Sequence, residues 1–254
     1  MSSVLLFGGS GKVARHLTKQ LASSGYTVYS VIRNPEQVDE LKGLGASPIL
    51  QSIEDSSQAD FVDLIKKHKP TAVVWAAGAG GGNPERTQSV DYRGAVKTMD
   101  AIAQAADEAG TTRRYVTVSA LDVRDRESKP VPSWYDDNDK SMSDRVWGVI
   151  KAYMLAKYEA DKSLVEENGR RKLDYTIVRP GGLSQDPAVG VIAAGHVKLG
   201  RTISREDVAA VVAECLKNEK TVGLAFDVAG GDTKISEAVA KIASDRVDTF
   251  EGFH

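Results

Sequence analysis

Short apolar runs alternate with stretches of helical periodicity along nearly the whole chain. The runs fall at 4–7, 26–32, 47–50, 71–77, 115–118, 175–178 and 224–228, and several are β-branched and apolar throughout. Unbroken apolarity of that kind marks strands covered on both faces of a parallel sheet, where no side of the strand meets water. Helical spacing fits 12–24, 35–43, 58–67, 91–109, 147–167, 205–217 and 234–243. Pro35 suits a first helical turn, and Ser204 three residues before Asp207 suits a capped start. Strand and helix in strict alternation predict a doubly wound α/β fold with a mostly parallel sheet of about seven strands and helices on both faces. Residues 1–254 read as one domain, an ordinary size for this class.

One segment breaks the alternation. From 122 to 145 (DVRDRESKPVPSWYDDNDKSMSDR) charge, Ser and Pro dominate and little periodicity survives. The segment follows a strand's carboxyl end, the edge at which open α/β sheets bind ligands. It reads either as a solvated loop or as a lid carrying Trp134 and Tyr135 over a substrate, with further pocket elements expected within 181–204.

Charge narrows the partners. With 33 basic against 35 acidic residues the formal net charge is −2, which supplies no general attraction to nucleic acid or to an anionic membrane. A small molecule is the expected partner; oligomeric state is not legible. Cys215 is the one cysteine, so neither a disulfide nor a thiolate metal site is expected. His16, His68, His196 and His254 share no metal-ligand spacing; Asp136, Asp137 and Asp139 read as solvating charge rather than a cation site. The N-terminal apolar run is too short for a signal segment and no stretch has the length of a membrane span. A cytoplasmic protein is expected.

Chemistry concentrates at strand ends. After the first run comes Gly8-Gly9-Ser10-Gly11-Lys12-Val13-Ala14, which leads directly into a helix. Glycines there permit a tight turn and the close approach of a diphosphate, Ala14 lets helix and strand pack, and the first helical N–H groups face the phosphates. A purely structural glycine turn would use the same residues. The second run ends Ile32-Arg33-Asn34, where a protein selective for NAD carries Asp or Glu. A guanidinium suits a ribose 2′-phosphate instead, so NADP(H) is favoured, with Arg15 able to assist; a solvated edge charge is the competing reading of Arg33. The fourth run passes into Ala76-Ala77-Gly78-Ala79-Gly80-Gly81-Gly82, small residues that leave room for ribose and nicotinamide, or form only a flexible turn.

These residues in this order resemble the short-chain dehydrogenase/reductase superfamily, specifically its atypical NAD(P)H-binding members of the sugar epimerase or reductase kind. GGSGKVARHL is similar to the phosphate turn, VIRN to the NADP-selecting strand end, WAAGAGGG to the fourth-strand motif and SVDYRGAVK to the helix after it. VTVSAL, AKYEAD, DYTIVRPGGL and TISREDVA follow in the expected order, so the resemblance runs almost end to end of a Rossmann fold. It implies that Ser119 orients the substrate, that Tyr153 passes the proton, and that Lys157 tunes Tyr153 and binds the nicotinamide ribose. Spacing of four puts Tyr153 and Lys157 on one helix face. Tyr158 and Lys162 repeat the spacing, but the Ala156-Lys157 and Ala160-Asp161 pattern favours the first pair. Cofactor contacts are implied for Gly8, Ser10, Gly11, Lys12 and Val13, then for Arg33 and Asn34, and for Ala76, Ala77 and Gly78. Pro180, Gly181 and Leu183 would meet the nicotinamide end. Ser52 and Ile53 align where the superfamily often has an acidic residue near the adenine.

The expected function is an NADPH-dependent reductase of a small carbonyl or related unsaturated compound. Within the same class stands an epimerase or dehydratase that retains its cofactor. The rival from another class is an NADP(H)-sensing protein without turnover.

Overall fold

The computed structural model describes residues 2–81 and 83–254. In chain order the elements are β1 (Ser3–Phe7), α1 (Lys12–Ser23), β2 (Thr27–Ile32), α2 (Val38–Gly43), β3 (Ala46–Leu50), α3 (Gln58–His68), β4 (Ala72–Trp75), α4 (Pro84–Thr87), α5 (Ala95–Ala109) and β5 (Arg114–Val118). Then follow α6 (Asp137–Glu166), α7 (Asn168–Arg171), β6 (Asp174–Pro180), β7 (Gly182–Ser184), β8 (Val191–Ala194), β9 (Thr202–Ser204), α8 (Arg205–Lys217), β10 (Leu224–Gly230), β11 (Thr233–Lys234) and α9 (Ile235–Asp245). Among the described residues no helix is long and apolar enough to cross a membrane.

All seven expected strands form, and the sheet is wider than expected. Nine strands lie in the order β11-β8-β10-β6-β5-β4-β1-β2-β3, with β8 antiparallel to β10 and β11, and β7 pairs with β9 in a separate parallel ribbon. The added edge strands are two to four residues long, too short to show a period in sequence. Strand order reverses between β1 and β4, the switch point at which doubly wound sheets open a crevice. Register pairs Phe7 with both Val31 and Trp75, and Val118 with Val178. Gly8, Arg33, Ala76, Ser119 and Gly181 therefore emerge in one row at the carboxyl edge.

Alternation within each strand builds two cores. Leu5, Phe7 and Trp75 point to the face covered by α3, α5 and α6, while Val4, Leu6 and Val74 point to the face covered by α1, α8 and α9. Each fully buried side chain of this size contributes about 1.5–3 kcal/mol.

Three local outcomes differ from the sequence reading. Residues 137–145 are not loop: they form the first turns of α6, started by a reciprocal cap in which Asp136 accepts from the Asp139 N–H at 2.9 Å and Asp139 accepts from the Asp136 N–H at 3.1 Å. A capped start overrides the missing apolar period. Tyr135 is buried and donates to Asp122 at 3.1 Å, and Trp134 stacks on His196 at 4.0 Å, so both rings are committed to the protein rather than reaching over a ligand. The helix expected from 91 begins at Pro84 and passes through a π-helical stretch, Gln88–Gly94, of the kind that often marks functional sites.

Candidate active site

The glycine turn is forced by its surroundings. Gly8 has φ +77°, and a Cβ there would lie 2.5 Å from the Ala77 Cα; one on Gly11 would lie 3.1 Å from the Gly8 carbonyl. Gly9 sits equally tightly, its virtual Cβ 2.6 Å from the Ser30 Cβ. The turn delivers the start of α1 with no side-chain cap and no acidic residue in its first turn. An uncapped, acid-free helix start with its N–H groups open beside a cradle that a side chain would fill suits a dinucleotide's diphosphate. Of the residues implied here, Gly8, Ser10 and Gly11 line the cleft. Lys12 is exposed and Val13 packs into the core, and neither lines it, leaving their backbone N–H groups as the contribution.

From this turn a cleft of about 910 Å³ runs past Arg33, Asn34, Ser52, Ile53, Ala76, Ala77 and Gly78. Arg33 is more than half exposed and its Nη1 lies 2.9 Å from Glu54 Oε2. Glu54 also meets Arg86 Nε at 3.2 Å, and both line the same cleft. The sequence reading missed Glu54 and Arg86; a carboxylate two residues after Ser52 is a visible local signal, whereas Arg86 arrives through the fold. Arg15 is drawn away to Glu40 at 2.8 Å and does not line the cleft. Gly82, last of the glycine run after β4, lies outside the described residues.

A second cavity, of about 660 Å³, adjoins the carboxyl ends of β5 and β6. Ser119, Tyr153, Pro180, Gly181 and Leu183 all line it. Tyr153 reaches it through a break in α6: Ile150 has φ −123° and ψ 35°, two residues after Gly148, and the helix is kinked there. Burial raises the Tyr153 phenol above its ordinary pKa; the Lys157 charge opposes this and Asp91 and Asp161 reinforce it. The phenol therefore stays protonated at neutral pH.

Lys157 stands against Tyr153, away from the walls of both cavities. Its ammonium is buried, lines neither cavity, and donates to the Val118 carbonyl at 3.2 Å while pairing with Asp91 Oδ1 at 3.4 Å. It lies over the Tyr153 ring, 5.8 Å from the centroid. Burial pulls the Lys157 pKa down, but Asp91, Tyr153 and Asp161 outweigh it and hold the amine charged. Asp91 comes from the π-helical stretch and also accepts from the Ala79 N–H at 2.9 Å. The pair thus fastens α6 to the loop that borders the cofactor cleft.

Ser119 donates its hydroxyl proton to the buried Asp161. Burial pushes the Asp161 carboxyl up to about 6, against the opposing effects of Ser119, Arg179 and Lys157. With that bond made, Ser119 can only accept from a ligand. Once Asp161 is protonated the hydroxyl is free to donate. Asp161 lies four residues after Lys157, on the same helix face, a spacing visible in the sequence; Asp91 carries no such local signal. Among the described residues no group of three or more His, Cys, Asp or Glu is placed to hold a metal ion.

Comparison with known proteins agrees with this geometry. A family model described as NAD(P)H-binding matches residues 8–219. The chain is 32% identical over 242 residues to a Bacillus subtilis protein named as an uncharacterized sugar epimerase, YhfK, covering 94% of this chain and 99% of that one. A solved Bacillus halodurans structure described as an NAD-dependent epimerase/dehydratase superposes with TM-score 0.74 at 33% identity, covering 95% of this chain and all (100%) of that one. The Lactococcus lactis oxidoreductase ylbE superposes with TM-score 0.75 at 26% identity, covering 95% and 97%. With its Rossmann-type sheet, glycine turn and two adjoining clefts, the chain belongs to the NAD(P)H-binding family of oxidoreductase- and epimerase-like proteins.

Proposed function

We propose that the protein is an NADPH-dependent reductase of a small carbonyl or related unsaturated compound. The observation that carries this reading is that Tyr153 and Ser119 line one apolar cavity beside Pro180 and Gly181, next to the cleft built on the glycine turn. Nicotinamide bound along that cleft would supply the hydride. Tyr153, protonated and facing the cavity, gives its proton to the substrate oxygen as negative charge develops there. Lys157 keeps its charge under the phenol ring and favours the phenolate left behind. Ser119 holds the substrate oxygen in the fraction of molecules in which Asp161 carries its own proton.

Preference for NADP(H) over NAD(H) is supported by Arg33 at the end of β2, with no carboxylate in the Ile32-Arg33-Asn34 strand end itself. The test is steady-state loss of NADPH absorbance against a panel of aldehydes, ketones and enones, run beside Tyr153→Phe. Oxidation by the wild type that falls about 100-fold or more in the variant is expected. Turnover of a sugar substrate with no net NADPH consumption would assign epimerisation instead; tight cofactor binding with no turnover of any kind would favour a sensor.

A further inference from the structure

The cavity of about 660 Å³ holds far more than a carbonyl group and its neighbours. One wall is the first half of α6, presenting Met142, Val146, Val149 and Ile150; Leu121, Leu183 and Leu199 face it. Val149 is 77% exposed and Ile150 42%, apolar side chains kept at a water-facing mouth by the kink that also turns Tyr153 inward. Surfaces of this kind are costly to leave uncovered and mark binding sites.

Two arginines share that lining, Arg145 from α6 and Arg201 from the turn before β9. Among the described residues Arg145 takes part in no ion pair, and Arg201 makes one side-chain bond, to the Gly230 carbonyl at 3.3 Å. The acid on the lining is Asp122, and its carboxylate is already committed: it accepts from Arg124 at 3.0 Å and from Tyr135 and Trp147 at 3.1 Å each. The cavity therefore offers an apolar slot with two cations and no carboxylate left to neutralise them. Neither guanidinium lines the dinucleotide cleft, where Arg33 and Arg86 stand.

We propose that the substrate is an amphiphilic carboxylate, with a flat apolar or conjugated body between α6 and the Leu183 and Leu199 side and its anionic group held by Arg145 and Arg201. The proposal rests on the reading of this cavity as the substrate site. Planar forks match a carboxylate in a way a neutral headgroup cannot reproduce.

Calorimetric titration of the NADP⁺-saturated protein with 2-naphthoate and with neutral 2-naphthalenemethanol tests it. Naphthoate is expected to bind about 10-fold tighter, the least that one charge-assisted contact gives. In the double variant Arg145→Gln, Arg201→Gln the two should bind within about 2-fold of each other, with naphthalenemethanol unchanged. Equal affinities in the wild type, or an anion preference that survives the double variant, overturn the proposal. Retained NADP⁺ affinity shows that the variant has folded. Binding needs no turnover, so the readings separate. Naphthoate preference without reduction of any carbonyl would cost the reductase reading alone, and reduction of neutral carbonyls without that preference would cost this one alone.

Discussion

Arg33 and Glu54 should move nucleotide preference in opposite directions. Arg33 is more than half exposed and paired with Glu54 at 2.9 Å, and Glu54 is shared with Arg86 at 3.2 Å. A charge-assisted contact to a 2′-phosphate contributes about 1.5–3 kcal/mol, and solvent around a side chain this open argues for the lower half of that range. At 1.4 kcal/mol per decade, Arg33→Ala should weaken NADP⁺ about 10- to 30-fold and leave NAD⁺ within about 2-fold. Glu54 works against the same contact, because its carboxylate occupies the guanidinium and repels a phosphate. Removing one like charge at a partly exposed site is a gain of about 1 kcal/mol, so Glu54→Gln should tighten NADP⁺ about 5-fold with NAD⁺ little changed. Titrating the intrinsic fluorescence of the wild type and both variants with each nucleotide measures all the constants needed. Equal loss of NADP⁺ and NAD⁺ affinity in Arg33→Ala would refute the assignment and leave Arg33 an edge charge. Weaker NADP⁺ binding in Glu54→Gln would mean that Glu54 holds Arg33 in place rather than competing for it.

Other outcomes follow from the same geometry. Tyr153→Phe should lower kcat by about 10²–10⁴ while nucleotide affinity stays within about 2-fold, since the phenol faces the second cavity and not the dinucleotide cleft. Gly8→Ala forces a Cβ into the Ala77 backbone at φ +77°, and should cost at least about 2 kcal/mol in denaturant unfolding along with most of the nucleotide affinity. Asp161, raised by burial to about 6 from an ordinary 3.8, adds stability that is complete below the lower value and lost as pH rises through the higher. Asp161→Asn should therefore flatten the stability profile between about pH 4 and 7 by up to about 3 kcal/mol, read by urea unfolding at each pH. The same substitution should remove any rise in kcat/KM below about pH 6 that comes from freeing the Ser119 hydroxyl.

What could be read from the sequence was local. Apolar strands ending in glycine, arginine or small residues announce themselves by composition, so the order of β1, β2, β4, β5 and β6 and the row of Gly8, Arg33, Ala76 and Ser119 at their ends were legible. Residues 137–145 escaped because helix periodicity is a signal of burial, and this part of α6 turns a largely charged surface to water. Its start was nonetheless written in Asp136 and Asp139, which cap each other across three residues. Burial of Tyr135 was illegible for a different reason: Asp122, which receives its hydroxyl, is 13 residues earlier and also collects Arg124 and Trp147. No short window of sequence displays a carboxylate that one near donor shares with two others 13 and 25 residues away.

The same distinction separates the resemblance from the chemistry. Tyr153 and Lys157 share a helix face by spacing alone, but spacing does not say what else meets the lysine. Asp91 arrives from 66 residues away through the fold and takes the ammonium, so Lys157 acts on Tyr153 across the ring face rather than at the hydroxyl. Burial then wins over that attraction and raises the phenol. A tyrosine kept protonated in this way is suited to giving a proton to a reduced oxygen and poorly suited to removing one from an alcohol. The asymmetry favours reduction over oxidation at neutral pH. Asp91→Asn should shift the balance, because it removes a negative charge that raises the phenol; the alcohol-oxidation limb of the pH profile should then move to lower pH. An unmoved limb would show that Lys157 and Asp91 serve only to hold α6 against the loop beside the cofactor cleft.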